Sequence, residues 1–222
     1  MMELGRQSAY ISEYTPGLLF PIPRQEKRSE IGISADADLP FFGYDLWNHY
    51  EVSWLNPKGK PMVALAQIIY DCHSPYIIES KSMKLYFNSF NQTQIEDIQK
   101  LQQLISHDIS SRIQAPVDVQ LFLLQDFSPC YQIQPSSGIC IDNLDIECSE
   151  YLVNPQLLTT EKEITTETLC SNLLKSNCLV TLQPDWGSLE IHYTGPKINH
   201  ESLLSYIISF RNHNEFHEQC IE

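Results

Sequence analysis

Tyr50–Tyr70 reads YEVSWLNPKGKPMVALAQIIY, and this stretch decides the architecture. Tyr50–Leu55 alternates apolar and polar side chains, as a half-buried strand does. Asn56-Pro57-Lys58-Gly59 supplies turn residues, and Met62–Tyr70 is apolar and rich in strand formers, so the stretch predicts a β-hairpin. Further along, Thr93-x-x-Glu96 has the form of a capping box. Ile95, Ile98, Leu101, Leu104, Ile105, Ile109 and Ile113 then trace one face of a helix that Pro116 stops. Val117–Leu124 (VDVQLFLL) returns to strand alternation, and Ile139–Ile141 offers one more short strand before the polar stretch Asp142–Glu150.

The second half repeats the order. Leu179–Leu182 reads as a short strand, Ser188–Tyr193 (SLEIHY) alternates, Thr194–Lys197 reads as a turn, and Asn199–Phe210 opens a helix. Ser82-x-x-x-Tyr86-x-x-Ser89-Phe90 reads onto Ser202-x-x-x-Tyr206-x-x-Ser209-Phe210 at a constant offset, each after a hairpin signal. A duplicated strand-strand-helix-strand unit builds antiparallel sheets with helices on one face, the α+β class. The organisation expected is an extended arm over residues 1–40 (rich in Pro, Ser and charge around GLLFPIPRQEKRSEIG), a first module over 41–150 and a second over 151–222. The first copy runs well past Phe90, whereas the chain reaches Glu222 soon after Phe210. The expectation is therefore a second module cut short at its C-terminal end, which would leave a sheet edge open.

Bulk properties narrow the function classes. The chain has 222 residues and no run of apolar residues long enough to span a bilayer. The N-terminal MMELGRQSAYISEY carries an acid and lacks an apolar stretch, so no signal peptide is expected and the cytoplasm is the default compartment. A net charge of −14 repels phosphate backbones and argues against nucleic-acid binding. The 7 cysteines are odd in number, irregular in spacing and free of any CxxC, which argues against a disulfide framework or a zinc knuckle.

Three segments could carry chemistry. In SNCLVTLQPDWGS (Ser176–Ser188), Cys178 and Asp185 lie on one turn-bounded segment, with the acid in a Pro-Asp-Trp-Gly turn beside Trp186. A thiolate there is a nucleophile and the acid a proton donor, although a lone cysteine near a strand is more often a core residue. His213 and His217 stand at helical spacing with Glu218 and Cys220 beside them, compatible with a metal, with surface histidines or with a metal-free active-site role for His217. Glu79-Ser80-Lys81-Ser82 opens a helix-like stretch near Lys84 and suits either an anion such as phosphate or an ordinary N-cap with solvated lysines. Lys58 and Lys60 form a second small basic group. Neither GxGxxG nor GxxxxGK[ST] occurs, so a nucleotide cofactor would need another kind of site.

Taken together, Glu79–Tyr86 (ESKSMKLY), SNCLVTLQPDWGS and Ser209–Glu218 (SFRNHNEFHE) resemble the bimodular type of NADPH-dependent 7-cyano-7-deazaguanine reductase. The similarity runs from the arm through the hairpin to FHEQC. It implies tandem tunnelling-fold units like those of GTP cyclohydrolase I. It also implies reduction of the nitrile of 7-cyano-7-deazaguanine to 7-aminomethyl-7-deazaguanine with two NADPH, in the queuosine pathway of tRNA modification. By position, Cys178 would form a covalent thioimide and Asp185 would donate the proton. Ile78, Glu79, Ser80, His217 and Glu218 would hold the substrate, Ser80 and Lys81 would touch NADPH, and no metal would be needed. The resemblance further suggests a homodimer with pockets between subunits or modules. A chain ending at Glu222 is expected to hold the capture residues but an incomplete cofactor site, and so to be poorly stable or inactive. Two other readings stay open at this level. One is a tunnelling-fold metal enzyme acting on a pterin or purine, with Cys178, His213 and His217 as ligands; the other is a non-catalytic purine-binding module.

Overall fold

The computed structural model describes residues 11–124, 134–179 and 182–215. Its strands are β1 (Pro21–Pro23), β2 (Tyr44–Leu55), β3 (Pro61–Asp71), β4 (Tyr76–Ile78), β5 (Asp118–Leu123), β6 (Ile139–Cys140), β7 (Thr160–Asn177) and β8 (Pro184–Ile198). Its α-helices are α1 (Arg24–Glu30), α2 (Ser80–Asn88), α3 (Ile98–Ile113) and α4 (His200–Ser209). The class is α+β, the strand pairs are antiparallel except for the short parallel β6–β7 pair, and the chain divides into two compact units, residues 1–131 and 132–222.

In the first unit β2, β3 and β5 form an antiparallel sheet in that order. The predicted hairpin is present, closed by Gly59 in the left-handed region at φ 76. Ala64, Ala66, Ile68 and Tyr70 of β3 are buried at a period of two. They share a core with Val52 and Trp54 of β2 and with Leu101, Ile105, Ile109 and Ile113 of α3. The helical face read from sequence is therefore the face that packs. Its start differs. Leu55 donates its N–H to the Thr93 carbonyl and accepts from the Ile95 N–H, which holds residues 93–95 extended. The helix consequently begins at Ile98, capped by the Asp97 carboxylate on the Lys100 N–H, and the expected Thr93 capping box does not form. The segment before residue 40 is only partly extended: β1 pairs with β4, and α1 is anchored by buried Arg24 and Arg28. Arg24 pairs with Asp45, and Arg28 donates to the Cys72 carbonyl at 2.8 Å.

A buried carboxylate ties this unit together. Asp108 of α3 accepts from the hydroxyls of Tyr14 at 2.8 Å and Tyr86 at 2.6 Å. Burial, then the Asp108 bond, pushes both phenols well above the ordinary tyrosine range.

In the second unit the dominant feature is the long β7–β8 hairpin, most of which the sequence did not announce. Thr160–Asn177 is one strand, and Pro184–Ile198 pairs with it along its length. Pro-Asp-Trp-Gly and Thr194–Lys197, expected as turns, are strand; of Leu179–Leu182, expected as strand, Leu179 is a turn residue, Leu182 has φ 57, and 180–181 lie outside the described residues. β6 pairs with Leu169–Cys170 of β7, so Ile139–Cys140 belongs to this unit, whereas the sequence expectation placed the boundary between residues 150 and 151. α4 buries Leu203, Leu204 and Ile207 against Leu169 and Leu174 of the sheet.

The repeat extends beyond the quoted motif. Ser82 Oγ donates to the Glu79 carbonyl and accepts from the Phe20 N–H; Ser202 Oγ donates to the Asn199 carbonyl and accepts from the Thr159 N–H. Ser89 Oγ donates to the Tyr86 carbonyl and Ser209 Oγ to that of Tyr206, both at 2.6 Å. The rings of Tyr86 and Phe90 meet edge to face at 5.1 Å, those of Tyr206 and Phe210 at 5.3 Å. Register shifts fall between His49 and Val52 in β2 and between Ser171 and Leu174 in β7, and parallel bridges join Leu55 to Gln94 and Asn177 to Asn214. These landmarks superpose the two hairpins residue by residue.

Asp108→Ala strands the buried Tyr86 hydroxyl and the partly buried Tyr14 hydroxyl and is expected to lower stability by about 3 kcal/mol. Asp108→Asn, which keeps an acceptor oxygen, should lose less, and urea unfolding of the two variants measures the difference.

Candidate functional site

The hairpin tip of the second unit brings Cys178 and Asp185 together. Asn177 ends β7, and its N–H donates to the His213 carbonyl at 2.8 Å while its carbonyl accepts from the Glu215 N–H at 3.0 Å. The Cys178 N–H then crosses to the Gln183 carbonyl at 2.8 Å, and the Leu182 N–H returns to the Cys178 carbonyl at 2.9 Å. Both ends of the short connection are thereby fixed, and the thiol sits at its first residue, partly buried.

Asp185 stands directly opposite Ser176 in the β7–β8 register. Residues 185, 187, 189, 191 and 193 are partly buried while 186, 188, 190 and 192 are exposed, so Asp185 is on the inner, helix-facing side. Leu174 and Ser176 are buried on that side of β7, and Cys178 continues the same alternation. Cys178 and Asp185 are thus diagonal neighbours on one face, a separation of about 7–8 Å between backbones. Trp186 lies on the opposite face, 59% exposed, with the Arg211 guanidinium 5.9 Å from its ring. It does not supply the cover for Asp185 that its sequence position suggests.

The other expected residues divide in two. Ile78, Glu79, Ser80 and Lys81 cluster where β4 meets α2 in the first unit. Ile78 is buried, Glu79 half-buried, and Ser80 and Lys81 exposed. The Glu79 carboxylate accepts from the N–H groups of Lys81 at 2.9 Å and Ser82 at 2.7 Å, so the helix is capped from within. At this helix start the Lys81 and Ser82 amides are already taken by Glu79, which leaves the exposed Ser80 and Lys81 side chains for an approaching anion. Each Glu79 oxygen keeps a lone pair for a further donor. His217 and Glu218 lie outside the described residues. The segment leading to them runs beside Asn177, with the Asn177 Nδ2 donating to Asn214 Oδ1 at 3.0 Å.

Among the described residues the one trio of possible ligands is Asp71, Cys72 and His73 of the first unit, neighbours in sequence with an Asp71–His73 contact of 2.6 Å. The sequence reading passed over Ser176, whose place becomes visible only when the two hairpins are aligned.

The family model described as nitrile reductase, 7-cyano-7-deazaguanine-reductase N-term, matches residues 10–121, and that of QueF-like protein matches residues 184–222. The chain is 58% identical to NADPH-dependent 7-cyano-7-deazaguanine reductase of Legionella pneumophila (strain Lens), over 99% of this chain and 77% of that protein. It is 54% identical to the protein of the same name from Ralstonia nicotianae, over 99% of this chain and 79% of that protein. The corresponding protein of Acidovorax ebreus is 53% identical, over 99% and 80%.

Removing the internal cap should show as stability. Glu79→Ala is expected to cost about 1 kcal/mol, and Glu79→Gln less because one acceptor oxygen remains. Melting temperatures of the two variants test this, and a ligand-binding loss in Glu79→Gln larger than its stability loss would mark a role beyond the cap.

Proposed function

This chain belongs to the NADPH-dependent 7-cyano-7-deazaguanine reductase family, and from that premise we propose that it reduces the nitrile of 7-cyano-7-deazaguanine to the aminomethyl group, with Cys178 as nucleophile and Asp185 as proton donor. The observation that supports the residue assignment is the hairpin tip, where Asp185 stands opposite Ser176 and, two residues further on, the Cys178 N–H is held by the Gln183 carbonyl.

A nitrile is a weak electrophile, so capture needs a bond to carbon and a proton on nitrogen in concert. The Cys178 thiolate adds to the nitrile carbon, and the electron pair released onto nitrogen takes the proton of the Asp185 carboxyl. The product is a thioimide, with Asp185 left as carboxylate. Two hydrides and two protons in all turn the C≡N carbon into CH2NH2, and cleavage of the C–S bond returns the cysteine. NADPH, when bound, supplies the hydrides. Ser80 and Lys81 suit its phosphates: both are exposed, and among the described residues the Lys81 ammonium makes no ion pair. Glu79 with Ile78, and Glu218 with His217, are assigned to the substrate, since a carboxylate is the natural acceptor for the paired N–H donors of a guanine-like edge.

Tandem tunnelling-fold units, a homodimer, a cytoplasmic setting and a place in queuosine biosynthesis belong to the same proposal. The internal repeat of the two units and the family support it. No helix among the described residues is long and apolar enough to cross a membrane.

Incubation with 7-cyano-7-deazaguanine without cofactor should add the mass of one nitrile molecule to the intact chain. Cys178→Ala should abolish the adduct, and Asp185→Asn should slow its formation by about 100-fold or more at neutral pH. An adduct that survives in Cys178→Ala would sink the assignment.

A further inference from the structure

Superposing the two hairpins places three residues of the second unit on three of the first. Asn177 lies on Leu55 by the shared parallel bridge, so Cys178 lies on Asn56, Ser176 on Trp54, and Asp185 on Met62, each pair opposite in its own register. In the first unit this end of the sheet is filled. Trp54 is 2% exposed within the core, Met62 packs against that core, and the Asn56 side chain closes its own turn by accepting from the Lys58 and Lys60 N–H groups. In the second unit the indole is replaced by a hydroxymethyl group and the thioether by a carboxyl.

Ser176 is fully buried, and its Oγ has no hydrogen-bond partner among the described residues. Buried polar groups are nearly always paired, and an exception calls for an explanation. The fold does not supply one, since the first unit holds the same backbone with an apolar side chain. The hydroxyl faces the Asp185 side chain across the strand pair, where Cβ atoms stand about 4.5–5.5 Å apart, and is two residues from Cys178 on the same face.

We propose that Ser176 is a positioning residue for the reaction: its hydroxyl donates to the Asp185 carboxyl oxygen that does not carry the reacting proton, turning the protonated oxygen toward the nitrile nitrogen. The bond forms when the substrate occupies the tip, as catalytic hydrogen bonds often tighten only in the complex. The proposal rests on the assignment of Cys178 and Asp185 above.

Ser176→Ala removes the hydroxyl and little else. In the full chain its melting temperature should be unchanged or higher, because an unpaired polar group is lost from the interior. Adduct formation with 7-cyano-7-deazaguanine, followed by intact mass, should slow about 10- to 100-fold at saturation, with the half-saturating concentration unchanged. Ser176→Thr, which keeps a hydroxyl, should recover most of the rate. An Ala variant that reacts at the full rate overturns the proposal alone. So does one that loses melting temperature along with rate, or a Thr variant as slow as Ala. If the unsubstituted chain forms no adduct, the catalytic reading falls and the proposal falls with it.

Discussion

Each hairpin is held at its turn end by a single residue that hydrogen-bonds on its outer side. Leu55 and Asn177 each donate to the carbonyl of one residue and accept from the N–H of a second in the segment that follows a helix. A strand end left alone would fray, because its outer N–H and C=O would have only water. Clamped in this way, the turn begins from a fixed backbone. Everything that gives the tip of the second unit chemical meaning follows from this constraint, since the crossing bond of Cys178 starts one residue beyond the clamp.

The two units use the same scaffold for opposite ends. In the first, β2 buries Val52 and Trp54 close to the turn, and the Asn56 Oδ1 is spent on the turn. In the second, the same positions carry a thiol, a hydroxyl and a carboxyl, so apolar packing gives way to polar groups at unchanged burial. The remaining apolar packing of that unit lies further back, around Leu169, Leu174 and the inner face of α4. Stability and chemistry are thus separated along one hairpin by a few residues. The first unit adds what a reactive tip cannot hold, a buried Asp108 satisfied by two tyrosines and an internally capped helix α2.

The legible parts were those where one physical signal acts alone. The Tyr50–Tyr70 hairpin shows because its inner face is continuously buried, and α3 because four isoleucines and leucines recur on one side. Its start was misread because tertiary pairing with Leu55 overrides a good local capping motif. Most of β7 escaped notice because its first part, Thr160–Ile164, runs exposed and the shift between Ser171 and Leu174 resets the alternation. Pro184 and Gly187 look like turn residues, yet a proline is tolerated at the first residue of an edge strand. Cys178 and Asp185 were singled out by resemblance, since residue type favoured a core cysteine. Ser176 left no mark at all: one serine among many has no signal until register puts it opposite an acid and on top of a tryptophan.

Duplicated segments in one gene exchange sequence by recombination, and the match of Trp54 with Ser176 makes that exchange costly in both directions. Copying the first tip over the second would force an indole into the space closed around a fully buried serine and remove the reacting groups at once. Copying the second over the first would set a hydroxyl and a carboxyl into a core built around an indole and leave a void there. Each tip is therefore bound to its own unit by packing as well as by chemistry.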